Sequence, residues 1–147
     1  MFGSFHHQNV TVSDIARSKA FYTGLLGLEV IDEVYVDEPA FGEGVGIPGA
    51  AVHALFLKVP GQETFIEMLQ YEGSGPDPVG DRGPDAVGLG HLALEVSDIE
   101  EVHGRLSEAG VEFVSKPVTM SNGVRWCYFR DPDGILLELI QPTGDSR

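Results

Sequence analysis

Short stretches of the chain alternate apolar and polar residues, and two helical patterns interrupt them. Alternation marks a strand with one buried side, whereas apolar spacings of three and four mark one buried stripe of a helix. Val10 and Val12 alternate with polar neighbours near the start, and Leu92, Leu94 and Val96 do the same in the second half. Asp14 and Asp98 follow these strands, each with a carboxylate placed to accept from the free N–H groups of a helix's first turn. Asp98 with Glu101 has the spacing of a capping box. The first predicted helix carries Ile15, Ala16, Lys19, Ala20, Tyr22 and Leu26 and stops at Gly27; the second carries Val102, Leu106 and Ala109 and stops at Gly110. Extended segments follow at 28–36, 51–59 and 64–71, then at 112–115, 124–130 and 135–141. Pro60-Gly61 and Asp131-Pro132-Asp133-Gly134 supply tight turns between successive antiparallel strands. The acidic, Gly-rich stretch 37–48 is expected to be a mobile loop able to cover a site.

The same order of elements occurs twice, and the residues repeat with it. His7-Gln-Asn-Val-Thr-Val-Ser-Asp-Ile15 and His91-Leu-Ala-Leu-Glu-Val-Ser-Asp-Ile99 agree at five of nine positions. Phe65-Ile-Glu-Met-Leu-Gln70 and Leu136-Leu-Glu-Leu-Ile-Gln141 align Glu67 with Glu138 and Gln70 with Gln141. Two copies of one β-α-β-β-β unit account for both echoes. Module one is expected over 5–70 and module two over 89–141, joined by a Gly-, Pro- and Asp-rich linker at 71–90, all within a single α+β domain, 1–147.

Composition narrows the function. A chain of 147 residues is long enough to bury a sizeable core. A net charge of −14 repels phosphate backbones and anionic lipids, so nucleic-acid and membrane-surface partners are not expected. No apolar run approaches the ~20 residues of a membrane span, and residues 1–20 lack the pattern of a secretory signal. With Cys127 as the one cysteine no intrachain disulfide forms, which points to the cytoplasm.

Strand parity selects the candidate chemistry. His7 and His91 fall on the face opposite the apolar residues of their strands, and His6 does not, which makes His7 the better candidate. Glu67 shares a face with Phe65 and Leu69, and Glu138 with Leu136 and Ile140. A carboxylate among apolar neighbours is costly to ionise unless paired, hydrogen-bonded or bound to a metal. A lone strand histidine is ordinarily structural, but a repeated His and Glu calls for one explanation. If the units pair pseudo-symmetrically and their sheets curl, His7, Glu67, His91 and Glu138 meet at one point as ligands of a single divalent metal, with zinc, nickel, cobalt, manganese and iron all acceptable to this donor set. His53 and Arg125 are the candidate substrate contacts, His53 against the alternative of a structural histidine and Arg125 against that of a surface ion pair. Cys127 has no activating partner in sequence and is expected to be buried and unreactive.

These segments resemble the vicinal oxygen chelate superfamily, which includes glyoxalase I, methylmalonyl-CoA epimerase, extradiol dioxygenases, fosfomycin-resistance enzymes and bleomycin-binding proteins. The resemblance rests on His7 through Val-Ser-Asp-Ile15, on Ser18-Lys-Ala-Phe-Tyr22, Leu26-Gly-Leu-Glu-Val30 and Gly90-His-Leu-Ala-Leu-Glu-Val96, and on Tyr128-Phe-Arg-Asp-Pro-Asp-Gly134 running into Glu138. It implies paired βαβββ modules forming a partly open, mixed-sheet barrel around a metal, commonly in a homodimer. A carboxylate at Glu67 is similar to the ligand pattern of glyoxalase I and methylmalonyl-CoA epimerase. The implied activity is that of a metal-dependent isomerase, epimerase or lyase that removes a proton next to a chelated carbonyl of a small-molecule substrate, with Glu138 or Glu67 as base and Glu138 preferred. An iron-dependent extradiol-type dioxygenase and an antibiotic- or metabolite-binding resistance protein are the alternatives.

Overall fold

Each aspartate placed at a helix start caps one. The Asp14 carboxylate accepts from the N–H of Arg17 at 2.9 Å, and the Asp98 carboxylate accepts from Glu100 and Glu101 at 3.1 Å each. The computed structural model describes residues 6–73, 85, 88 and 90–143. The chain divides into two compact units, Met1–Asp77 and Pro78–Arg147. Most of the expected linker lies outside the described residues, and Tyr71, its first residue, is the last of a strand.

In the first unit β1 (His7–Thr11) leads into α1 (Ile15–Lys19), which continues as a π-helical segment, Ala20–Leu25. The widening shows in the Leu26 N–H, which donates five residues back to the Phe21 carbonyl at 3.2 Å. Gly27 then takes a φ of 78° and ends the helix where the sequence predicted. β2 (Glu29–Val36), β3 (Val52–Lys58) and β4 (Phe65–Tyr71) complete an open sheet in the order β1-β4-β3-β2, with β1 parallel to β4 and the other pairs antiparallel. Gly61 adopts φ 80° after Pro60, and the Gln62 N–H returns to the Val59 carbonyl at 3.0 Å, as a Pro-Gly turn requires.

The second unit repeats this order. β5 (Leu92–Glu95) precedes α3 (Ile99–Glu108), and β6 (Val118–Thr119), β7 (Arg125–Arg130) and β8 (Leu136–Gln141) form a second open sheet, β5-β8-β7-β6. The Asp131-Pro132-Asp133-Gly134 motif is a structural turn: the buried Asp131 carboxylate accepts from the N–H groups of Asp133 and Ile135, both at 2.9 Å. No helix among the described residues is long and apolar enough to cross a membrane.

Two expectations are corrected. The segment 37–48 is not a loop throughout, because α2 (Pro39–Val45) forms inside it. Pro39 is pre-set for the first helical turn and Gly46 closes the helix at φ 73°. Phe41 on this helix packs against Val52, Ala54 and Leu69 and lies 6.2 Å from the Tyr71 ring. The expected strand 112–115 shrinks to a single bridge between Phe113 and Phe129, and pairing resumes only at β6, past Pro117, which has no N–H to donate.

Parity assigns the faces. Val10, Val12, Leu55, Leu57 and Met68 are buried on the side of the first sheet that α1 covers. Leu137, Leu139, Cys127 and Phe129, with Ile99 and Leu106 of α3, are their counterparts in the second unit. Glu67 and Glu138 point to the other face in each case.

Candidate metal-binding half-sites

Register places His7 beside Phe65 and Asn9 beside Glu67 on β1 and β4, with Phe56 of β3 beyond Glu67. The His7 ring stacks on Phe65 with centroids 5.4 Å apart, and its Nε2 lies 3.4 Å from Glu67 Oε2. Asn9 adds an amide donor to the same carboxylate, with Nδ2 3.4 Å from Glu67 Oε2 and 3.3 Å from the Glu67 carbonyl. His6 is close as well: its Nδ1 is 2.8 Å from His7 Nδ1.

The second unit builds the same pair from the same strands. His91 Nε2 stands 2.8 Å from Glu138 Oε2, and the Tyr128 ring, cross-strand from Glu138, lies 5.0 Å from the His91 ring. Burial, followed by the Glu138 charge, raises the Tyr128 phenol above its ordinary range, so it stays a hydrogen-bond donor at neutral pH. The two carboxylates differ. Glu138 keeps 12% of its side chain exposed against 25% for Glu67, and Ala93 occupies the position that Asn9 holds in the first unit.

The donor set fits a divalent metal. Imidazole nitrogen and carboxylate oxygen suit zinc and its first-row neighbours. Donors held about 2.0–2.2 Å from one ion at roughly 90–109° lie roughly 2.8–3.6 Å apart, a range that contains both pairs. The donors are gathered as two pairs; among the described residues no group of three or more His, Cys, Asp or Glu side chains is assembled for a metal.

The residues selected as substrate contacts are not brought to these pairs. His53 is cross-strand from Gln70, so it lies on the α1 side of its sheet, opposite Glu67, with its ring 4.9 Å from Tyr35. Arg125 is cross-strand from Gln141, the repeat-related position, and forms an ion pair with Glu100 of α3. Cys127 is fully buried, and burial, then the charges of Glu100 and Glu138, push its thiol up to about 11. Sequence reasoning missed Asn9 and Tyr128, although both were findable from their registers beside the two glutamates. It also left the aligned glutamines without a role. Gln70 Oε1 accepts from the Ile15 N–H at 2.8 Å and Gln141 Oε1 from the Ile99 N–H at 2.9 Å, so each pins the first residue of a helix to the last strand of its unit.

Comparison with known proteins agrees with this architecture. The chain is 33% identical over 139 residues to the Bacillus subtilis protein YwkD, covering 94% of this chain and 96% of that one. It is 32% identical over 147 residues to the ethylmalonyl-CoA/methylmalonyl-CoA epimerase of Cereibacter sphaeroides, covering 96% and 99%. The crystal structure of a glyoxalase family protein from Bacillus cereus superposes with a TM-score of 0.84 at 23% identity, covering 95% of this chain and 93% of that one, a likeness of fold. The family model for the Glyoxalase/Bleomycin resistance protein/Dioxygenase superfamily matches residues 4–139. With the family's βαβββ unit present twice and its sequence pattern spanning nearly the whole chain, this protein belongs to the Glyoxalase/Bleomycin resistance protein/Dioxygenase superfamily.

Proposed function

We propose that the protein is a metal-dependent enzyme of glyoxalase type, an isomerase, epimerase or lyase that moves a proton next to a carbonyl of a small-molecule substrate. The observation that carries this is the repeated pairing of His7 with Glu67 and His91 with Glu138, each with Nε2 and Oε2 at the spacing of neighbouring ligands. In this reading the four side chains hold one divalent metal. The chemistry it would supply is positive charge on two adjacent substrate oxygens, which polarises the carbonyl and acidifies the neighbouring C–H. Similarity to an epimerase of acyl-CoA substrates supports proton transfer over oxygen activation.

The chain's own residues divide the remaining work. His7 and His91 each offer a ring nitrogen as a donor to the metal. Asn9 donates to Glu67 and helps hold its carboxylate in place. Glu138 has alanine where Glu67 has that amide, and it is the less exposed of the two, so it is assigned as the base whose carboxylate takes the substrate proton. His53 and Arg125 have no substrate role in this reading. The protein is expected to be a homodimer, a state that sedimentation velocity measures directly.

Elemental analysis of protein purified without added metal, followed by deuterium exchange into α-acidic 2-oxo acids and thioesters, tests the proposal. Expected are about one equivalent of metal per chain and exchange that chelation abolishes. Glu138→Gln should keep most of the metal and lose roughly 100- to 10,000-fold in exchange, the usual scale of a general base. Metal-free protein that gains no metal on titration would overturn the proposal, as would iron-dependent oxygen uptake with a catechol.

A further inference from the structure

The site face of the first sheet continues past the His7–Glu67 pair into a cleft of about 420 Å³. Two cross-strand rows define this face. One runs His7, Phe65, Lys58, Glu29 and the next runs Asn9, Glu67, Phe56, Asp32. Further along the strands the same face is closed by α2, whose Phe41 covers Val52, Ala54 and Leu69. The cleft therefore begins where that cover stops. Ile31, Phe56 and Phe65 line its apolar part, and Lys58, Asp32 and Glu63 its charged part. Its volume is that of a small-molecule site.

Distance along the rows decides what could fill it. Neighbouring strands lie about 4.8 Å apart, so Lys58, two strands from His7 in the same row, is roughly 10 Å from it. Phe65 lies between them, and its ring meets that of Phe56 in the next row edge to face at 5.9 Å, which forms an apolar path. At the far end the charges are mixed. Lys58 is half-buried and makes no salt bridge among the described residues, although Glu29 lies directly across from it and Asp32 diagonally so. One Asp32 oxygen accepts from the Glu33 N–H at 2.8 Å, which leaves its second for a ligand. A purely anionic group would meet one lysine beside two lining acids, and a purely cationic one would leave the half-buried lysine of the cleft without a ligand charge to meet.

We infer that this cleft binds the far end of an elongated substrate, an apolar stem about 10 Å long ending in a zwitterionic ammonium–carboxylate group, as in an α-amino acid. Lys58 takes the carboxylate, Asp32 and Glu63 take the ammonium, and Phe56 and Phe65 carry the stem. This deepens the proposed function and rests on it for the location of the reacting end; the cleft's ligand preference is tested separately. The probes are 2-aminooctanoate, octanoate and octylammonium, titrated into ¹⁵N-labelled, metal-free full-length protein while the amides of Ile31, Phe56, Lys58 and Glu63 are followed by NMR. Expected is binding of 2-aminooctanoate about fivefold tighter than either singly charged probe, the scale of one partly exposed ion pair. Lys58→Met should reduce it to the level of octylammonium, and Asp32→Asn with Glu63→Gln to the level of octanoate. Equal or tighter binding of a singly charged probe by the wild-type protein would overturn the inference, as would shifts absent from the cleft amides. Because no variant is needed for that comparison, misfolding of a variant leaves it decisive. Protein that binds metal but shows no probe preference fails this inference alone, and protein that prefers 2-aminooctanoate but binds no metal fails the proposed function alone.

Discussion

Replacing Gln70 or Gln141 by alanine removes the acceptor that, among the described residues, meets the first N–H of α1 or α3. Both N–H groups belong to buried residues, with Ile15 8% exposed and Ile99 0%. The capping aspartates cannot substitute, because Asp14 accepts from Arg17 and Asp98 from Glu100 and Glu101, one or two residues further in. A buried donor left without a partner costs about 1–3 kcal/mol. For a chain of this size each kcal/mol lowers the melting temperature by about 2–4 °C, so each variant should melt roughly 2–12 °C lower, with Gln141→Ala the larger because Ile99 is fully buried. Gln70→Glu and Gln141→Glu retain an acceptor oxygen and should lose much less. Calorimetry gives the shift, and amide exchange at Ile15 and Ile99 locates it. Alanine variants that melt within about 1 °C of wild type, with exchange at those two amides unchanged, would refute the pinning role.

Cys127 and α2 give independent tests. With its thiol moved from the usual 9.0 to about 11, Cys127 holds roughly a hundredfold less thiolate near pH 8 than an unperturbed cysteine, so a thiol reagent should label native protein slowly and unfolded protein fast. The raised value also sets a sign: the folded protein keeps a proton that the unfolded chain releases, so this group's contribution to stability falls as pH rises from 9.0 toward about 11. Labelling of native protein at the rate of free cysteine would contradict the burial. In α2, a Cβ on Gly42 would sit 2.8 Å from the Ile47 carbonyl oxygen and 3.0 Å from the Gly49 nitrogen, both backbone atoms. Gly42→Ala should therefore destabilise by about 1–3 kcal/mol despite alanine's better helix propensity, whereas Gly44→Ala, with nothing within 4 Å, should stabilise by about 0.5–1 kcal/mol in urea melts.

The repeat made much of this legible. Val10 and Val12 alternate with polar neighbours, so the face of β1 could be assigned without coordinates, and the internal echo carried that assignment to β5. The aspartate caps and glycine stops were equally local signals, because each acts within one helical turn. α2 was missed for a different reason: three glycines and three acids among twelve residues look like a loop, and the helix depends on Phe41 finding Val52, Ala54 and Leu69, which are distant in sequence. His53 and Arg125 were selected by residue type without their register. Applying to β3 and β7 the parity used for β1 places both on the helix side, where Arg125 meets Glu100.

The two units share a backbone plan but not a chemistry, and the differences fall on equivalent positions of the same rows. Asn9 corresponds to Ala93, Phe56 to Tyr128 and His53 to Arg125, each pair fixed by cross-strand partners that are themselves repeat-related. What stayed the same is what either unit needs alone: the aspartate cap, the glutamine pin, and the histidine facing its glutamate. What diverged is the surroundings of each carboxylate. An amide donor lies beside Glu67, whereas a methyl group and an aromatic ring stand beside Glu138, whose side chain is the less exposed of the two. In the proposed function these substitutions assign Glu67 to holding and Glu138 to accepting the proton, with neither residue moved from its strand.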